Sequence, residues 1–221
     1  MDPVSLKEKA FSHVLSGIIQ GEYTTSGIIT EKELCEKLNM SKSPVREALV
    51  ELCSQNILRS IPRHGYAVVQ YTETDIANII QFRILLECGV LEQCFDRITA
   101  TQVCVLSNIV ELEFSTLHDM QMIDYWRDTM NFHLTLVSFS NNEFIYNQLR
   151  SALSTILRAY LQLYWQDSSI AKPSELHRQI VQAIRAGDKA LAVSLLKQDI
   201  QIVASWYSSQ VRSKAAEKKK K

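Results

Sequence analysis

From Thr72 almost to its end, the chain carries a helical pattern of apolar residues whose clearest breaks are Pro173 and Gly187. No other feature narrows the fold as far. A sheet needs turn residues every few positions, and this stretch does not supply them. The whole chain of 221 residues has only 6 glycines and 4 prolines, which argues for long helices and few hairpins. The spacing predicts helices over 73–97, 100–117, 119–139, 142–166, 174–186 and 189–209. Residues 211–221, which end in the charge run KAAEKKKK, read as a disordered, solvated basic tail.

The first 71 residues follow a different plan. SLKEKAFSHVLSGIIQ, residues 5–20, places Leu6, Ala10, Val14 and Ile18 at helical spacing, and Gly21 stops it. After the TTSG turn, Thr30 and Glu33 form a capping box for a second helix, with Leu34 and Leu38 inward. Asn39 ends it. Ser41 or Ser43 then caps a third helix, and Pro44 falls in its first turn, where a missing N–H costs nothing. Val45, Leu49 and Leu52 form its inward face. ILRSI and YAVVQY flank PRHG, two β-branched runs around a tight turn, so a hairpin. Three helices and then a hairpin is the order of a winged helix-turn-helix. The expected fold is therefore mainly α: a winged helix-turn-helix over 1–71 and an all-helical bundle over 72–210.

The start of the third helix, MSKSPVREAL, crowds two hydroxyls, a lysine and an arginine around one helix N-terminus. Taken alone it is a well-capped helix start. Placed between a capping box and a wing, it suits the reading end of a DNA-binding helix. Ser41 and Ser43 can donate to phosphate oxygens beside free backbone N–H groups, and Lys42 and Arg46 add charge-assisted contacts. Arg46, one turn in, reaches a guanine edge or a phosphate. Lys32 is placed for the backbone. Arg63, His64 and Gly65 form the wing tip. The 24 basic and 24 acidic residues balance, which neither supports nor excludes a nucleic-acid partner, because a local patch is enough. Five cysteines without a CxxC pair, no signal-type apolar segment and no apolar run near 18 residues point to a soluble, reducing, cytoplasmic protein with no membrane partner.

These residues resemble a known family. GIIQGEY, ITEKELCEKLNMSKSPVREALVELCSQNIL and IPRHGYAVV look like the winged-helix domain of GntR-family bacterial transcription regulators, and S-x-S-P-V-R-E-A-L is specific to it. The helical remainder is similar to the FCD-type ligand-binding domain of the FadR subfamily, through FRILLE, FHLTL and ELHRQIVQAIRAGDKALAVSLLKQDI. The likeness spans about residues 5–208. It implies DNA contacts at Lys32, Ser41, Lys42, Ser43, Arg46, His64 and Gly65.

The resemblance also implies a pocket, and in many FCD domains a divalent metal such as Zn²⁺ or Ni²⁺. The matching positions are His133, His177 and Asp199, the last standing where the family has a histidine. Thr129 occupies the usual acidic or amide position one turn before His133. Asp128 lies five residues before His133, roughly 140° around a helix. Chain spacing gives one independent check. His177 lies ten residues before Gly187, and Asp199 lies eleven after Asp188, the expected cap of the last helix. In an antiparallel hairpin the two stand at one height. They form either a ligand pair or an ion pair, and a metal-free pocket holding an organic anion stays open. Arg83 either clamps a carboxylate effector or pairs with Glu87. Arg158, Tyr160 and Tyr164 are the remaining candidates for lining the cavity.

The function this implies is a homodimeric, effector-responsive transcription regulator, a repressor or an activator, that reads palindromic operator DNA and senses a small organic acid, through a metal or without one. A metal hydrolase built on His133, His177 and Asp199 is the enzymatic alternative. It lacks an activated nucleophile, a phosphate loop or an HExxH pattern. A helical interaction module without DNA binding is the third reading.

Overall fold

The computed structural model describes residues 5–115, 122–164 and 175–218. Its first helices begin where side chains satisfy free backbone N–H groups. Ser5 and Glu8 close a capping box on α1 (Leu6–Ile19), and Thr30 and Glu33 close another on α2 (Glu31–Leu38). Asn39, at φ 52°, ends α2 in the left-handed region. Ser41 is the N-cap of α3 (Lys42–Ser54), but its hydroxyl makes no capping bond. Ser43 Oγ donates instead to Glu47, 2.9 Å away. Both hydroxyls are thus absent from the backbone of their own helix start.

β1 (Leu58–Ile61) and β2 (Gly65–Val68) pair antiparallel, Leu58 opposite Val68 and Ile61 opposite Gly65. Ile29, just before α2, adds a bridge: its N–H donates to Tyr66 O at 2.7 Å, and Tyr66 N–H donates to Ile29 O at 2.9 Å. That bridge gives Gly65 a folding role. Its φ is +130°, and a Cβ there would stand 2.5 Å from the Ile29 carbonyl oxygen. Val14, Leu34, Val45, Leu49, Leu52, Leu58 and Val68 form the core beneath the hairpin.

A second compact unit begins at Thr72 and takes in the rest of the described chain, except that residues 158–164 group with the first. Thr72 and Asp75 cap α4 (Glu73–Arg83). The single helix expected over 73–97 is corrected here. After α4 comes a π-turn at Ile84–Cys88, then α5 (Gly89–Cys94) and a 3₁₀ turn at Phe95–Arg97. One widened turn leaves the apolar period on both sides helical, so spacing does not reveal it. Such turns gather at functional sites, and this one carries Glu87.

Next are α6 (Ala100–Ser115), α7 (Met122–Ser138), α8 (Glu143–Tyr164), α9 (Glu175–Ala186) and α10 (Lys189–Lys218). Gly187, at φ +76°, ends α9, and Asp188 Oδ1 accepts from Leu191 N–H at 2.9 Å to start α10. Pro173 lies outside the described residues. Helix α10 packs along α9 and α4, and α6 packs on α7 and α9. The tail expectation is also corrected: α10 continues to Lys218 instead of ending near 210. The stretch from Arg212 to Lys218 has no glycine, proline or β-branched residue, and its alanines and lysines are good helix formers.

Candidate functional site

Lys32, Ser41, Lys42, Ser43 and Arg46 are all exposed, as are Arg63 and His64 at the hairpin tip. Arg63 takes a left-handed backbone, φ 66°, to turn the hairpin. Gly65 is half-buried against Ile29. Lys32 Nζ lies 3.9 Å from Glu36, a loose surface pair. Arg46 is held far more firmly. Its Nε and Nη2 donate to the two oxygens of Glu31 at 2.8 and 2.9 Å, leaving Nη1 for another partner. Tyr66 OH donates to the same carboxylate at 3.4 Å. The Arg46 hydrogen bonds hold the Glu31 carboxyl below its usual range against a smaller opposing effect of burial. Glu31 therefore ties α2, α3 and β2 together. Sequence reasoning missed it, because it lies 15 residues from Arg46 with no spacing rule to link them.

The second unit holds a buried polar cluster. Among the described residues, the buried charged and imidazole side chains are Arg83, Glu87, Glu113, His133, His177 and Asp199. All six belong to one chain of contacts. Arg83 Nε donates to Glu87 Oε1 at 2.7 Å, and Glu87 Oε2 accepts from His133 Nδ1 at 2.7 Å. His133 Nε2 stands 3.3 Å from Asp199 Oδ2, and His177 Nε2 stands 3.4 Å from the same oxygen. His177 Nδ1 lies 3.0 Å from a Glu113 oxygen. Phe132 stacks on His177, ring centroids 4.0 Å apart, and fixes its plane. The pair read from the helical hairpin, His177 and Asp199, does meet. His133 joins it, all three ligand atoms lying within 4.8 Å of one another.

Elementary hydrogen-bond chemistry shows what this arrangement could hold. A carboxylate only accepts, so Glu87 and Glu113 hold both imidazoles with the proton on Nδ1. Both Nε2 atoms then present lone pairs, and they face a carboxylate oxygen that also presents lone pairs. With both rings neutral three acceptors converge, and among the described residues His177 Nε2 is a buried nitrogen without a hydrogen-bond partner. Charge points the same way. One guanidinium against three carboxylates leaves two negative charges when both imidazoles are neutral. Two imidazoles and one carboxylate are the donors Zn²⁺ or Ni²⁺ takes. The residues present fit a divalent metal.

Without a metal, a proton takes part of its place. Burial pushes the His177 imidazole down, but Asp199 and Glu113 outweigh that and raise it to about 9. Asp199 is driven well below the carboxylate range, its own burial overcome by His177 and His133. Burial alone would raise Glu87, yet Arg83 and His133 hold it down.

The other expected pocket residues are less engaged. Arg83 pairs with Glu87, one of the two readings, but among the described residues its buried Nη2 has no hydrogen-bond partner. Thr129 Oγ1 is likewise buried without a partner among the described residues. Arg158 is half-buried on α8. The side chains of Asp128, Tyr160 and Tyr164 lie outside the described residues. Glu113, like Glu87 toward His133, was not foreseen: it stands 64 residues from His177 in the chain. No helix of the described residues is long and apolar enough to cross a membrane.

Comparison with known proteins agrees with both halves. Residues 6–68 match the family model described as bacterial regulatory proteins, gntR family, and residues 78–201 match the FCD domain model. The chain is 28% identical over 210 residues to the gluconate operon transcriptional repressor of Bacillus subtilis (strain 168), covering 90% of this chain and 86% of that one. Its fold is similar to that of Lar, which controls expression of the Listeria monocytogenes agr system, at TM-score 0.69 and 14% identity over 95% of this chain and 99% of that one. It is similar also to E. coli McbR/YncC, at TM-score 0.62 and 21% identity over 93% of this chain and 100% of that one.

Proposed function

Since the chain belongs to the FCD-domain branch of the GntR family of bacterial transcription regulators, and is a DNA-binding regulator rather than an enzyme, we propose that it is a homodimeric repressor whose operator affinity answers to an organic acid bound beside a divalent metal. The observation that carries the proposal is the burial of His133, His177 and Asp199 with Nε2, Nε2 and Oδ2 converging on one point. On the DNA side, Lys32, Lys42, Arg46 and Arg63 supply the cations, and the freely exposed Ser41 and Ser43 supply hydroxyls to phosphates. His64 and Gly65 carry the wing toward a groove. One recognition helix covers few base pairs, so two copies on a palindrome are the economical arrangement. The repressor reading rests on likeness to the gluconate operon repressor.

His133, His177 and Asp199 would hold the metal, which supplies open coordination positions for a carboxylate. Arg83 Nη2, buried and without a partner among the described residues, is the second anchor for such an anion. Effector binding that orders these helices changes operator affinity reciprocally. Fragments selected by the purified protein from random DNA should be palindromic, bound two chains to one duplex, with affinity falling as salt rises. One-to-one binding by a stable monomer contradicts the dimer. Elemental analysis of protein prepared without chelators or a nickel column should find one metal per chain, absent from His133→Ala/His177→Ala. Near-zero metal in both, after zinc or nickel is added, removes the metal and leaves a protonated His177 in its place.

A further inference from the structure

We propose that Glu87 and Glu113, which are not ligands themselves, are positioning residues that preset the two histidines for a metal. The inference rests on the metal reading above and goes beyond it. An imidazole in water carries its proton on either nitrogen and turns freely about χ2. Here both choices are removed by partners that can only accept. Glu87 meets His133 Nδ1 at 2.7 Å, and Glu113 meets His177 Nδ1 at 3.0 Å. The two carboxylates come from different elements, the π-turn and α6, and reach histidines on α7 and α9. Both are buried. Two independent buried carboxylates, each on the outer nitrogen of a histidine whose inner nitrogen faces one Asp199 oxygen, is a matched arrangement.

Burying these carboxylates is costly unless something uses their charge. A merely structural hydrogen bond to Nδ1–H needs no charge; a backbone carbonyl or an amide would serve. A negative partner does two further things. It raises the electron density that Nε2 offers to a metal, and it excludes the Nε2–H tautomer that would block the site. Arg83 compensates Glu87, whereas among the described residues no arginine or lysine pairs with Glu113. Glu113 is thus the less compensated carboxylate, and its removal should weaken the metal more.

The test uses the full-length protein and Zn²⁺ alone, titrated in competition with a chromophoric chelator. Wild type should bind one zinc per chain. Glu87→Gln and Glu113→Gln should stay folded and bind zinc about 10–100-fold more weakly, Glu113→Gln more so. Nitrogen-15 NMR of the histidines gives a reading that a structural role would not move. In the zinc-loaded wild type both rings should carry zinc on Nε2 and a proton on Nδ1. Zinc affinities of both variants within twofold of wild type overturn the inference while leaving the metal reading intact. Zinc on Nδ1 of either ring overturns it even if a variant fails to fold. Absence of zinc binding in wild type overturns the metal reading and this inference together.

Discussion

Arg46 with Glu31 and Arg83 with Glu87 are nearly the same pair on paper. Nε to Oε1 is 2.8 Å in the first and 2.7 Å in the second. Their surroundings differ completely. The side chains of Arg46 and Glu31 are 61% and 23% exposed; those of Arg83 and Glu87 are 2% and 0%. In water such a pair contributes little to stability and can yield to a stronger partner. In the interior neither charge can be left alone without a large penalty. One pair is thus a guanidinium held ready for an outside ligand. The other is a fixed part of a site, and the same chemistry is divided between the two roles by solvent access.

The largest effect should come from breaking the buried pair. Arg83→Met should destabilise the metal-free protein by about 3–5 kcal/mol, since buried Glu87 loses the guanidinium that balances its charge. Adding Glu87→Leu should recover part of the loss. Urea midpoints of the two variants measure this; a double variant worse than the single would mean that packing, not charge, sets the cost.

Next in size is the pH response of the metal-free cluster. The folded value of His177, about 9, lies above the ordinary histidine value of 6.5. Its contribution is complete below about 6.5 and lost as pH rises through about 9, a decline on the order of 3 kcal/mol. Zinc affinity should rise over the same window, because the metal must displace that proton. Chemical denaturation at several pH values, with His177→Ala as the flat control, checks the first trend, and chelator competition checks the second.

Arg46→Ala should behave in the opposite way to Arg83→Met. It should weaken operator binding by about 1–3 kcal/mol and relax preference at one position per half-site. Folding stability should move by less than about 0.5 kcal/mol. Unchanged operator affinity would remove Arg46 from the reading surface. Smallest is Lys42→Ala: if it meets phosphate alone, all sequences weaken alike and the salt slope falls by about 1.

The same contrast explains what the chain revealed before folding. Local devices were legible because their parts lie within one turn. Thr30 with Glu33 and Arg83 with Glu87 are examples. His177 and Asp199 were legible for another reason, since a helical hairpin around Gly187 fixes their relative height. Partners chosen by tertiary packing were not. Glu87 reaches His133 across 46 residues and Glu113 reaches His177 across 64. Ile29 bridging Tyr66, which explains Gly65, is of the same kind. The π-turn hid because the apolar period continues on both sides of it. The helical end of α10 hid because a run of lysines reads as solvated whether or not it is helical.

Proton exchange at arginine Nε, followed by nitrogen-15 NMR with and without operator DNA, tests the division between the two pairs most directly. The account predicts that the Arg83 Nε proton is strongly protected in both samples, whereas that of Arg46 exchanges quickly in the free protein and is shifted and slowed by operator. An Arg46 signal that operator leaves unmoved, or an Arg83 proton that exchanges as fast as that of Arg46, would contradict it.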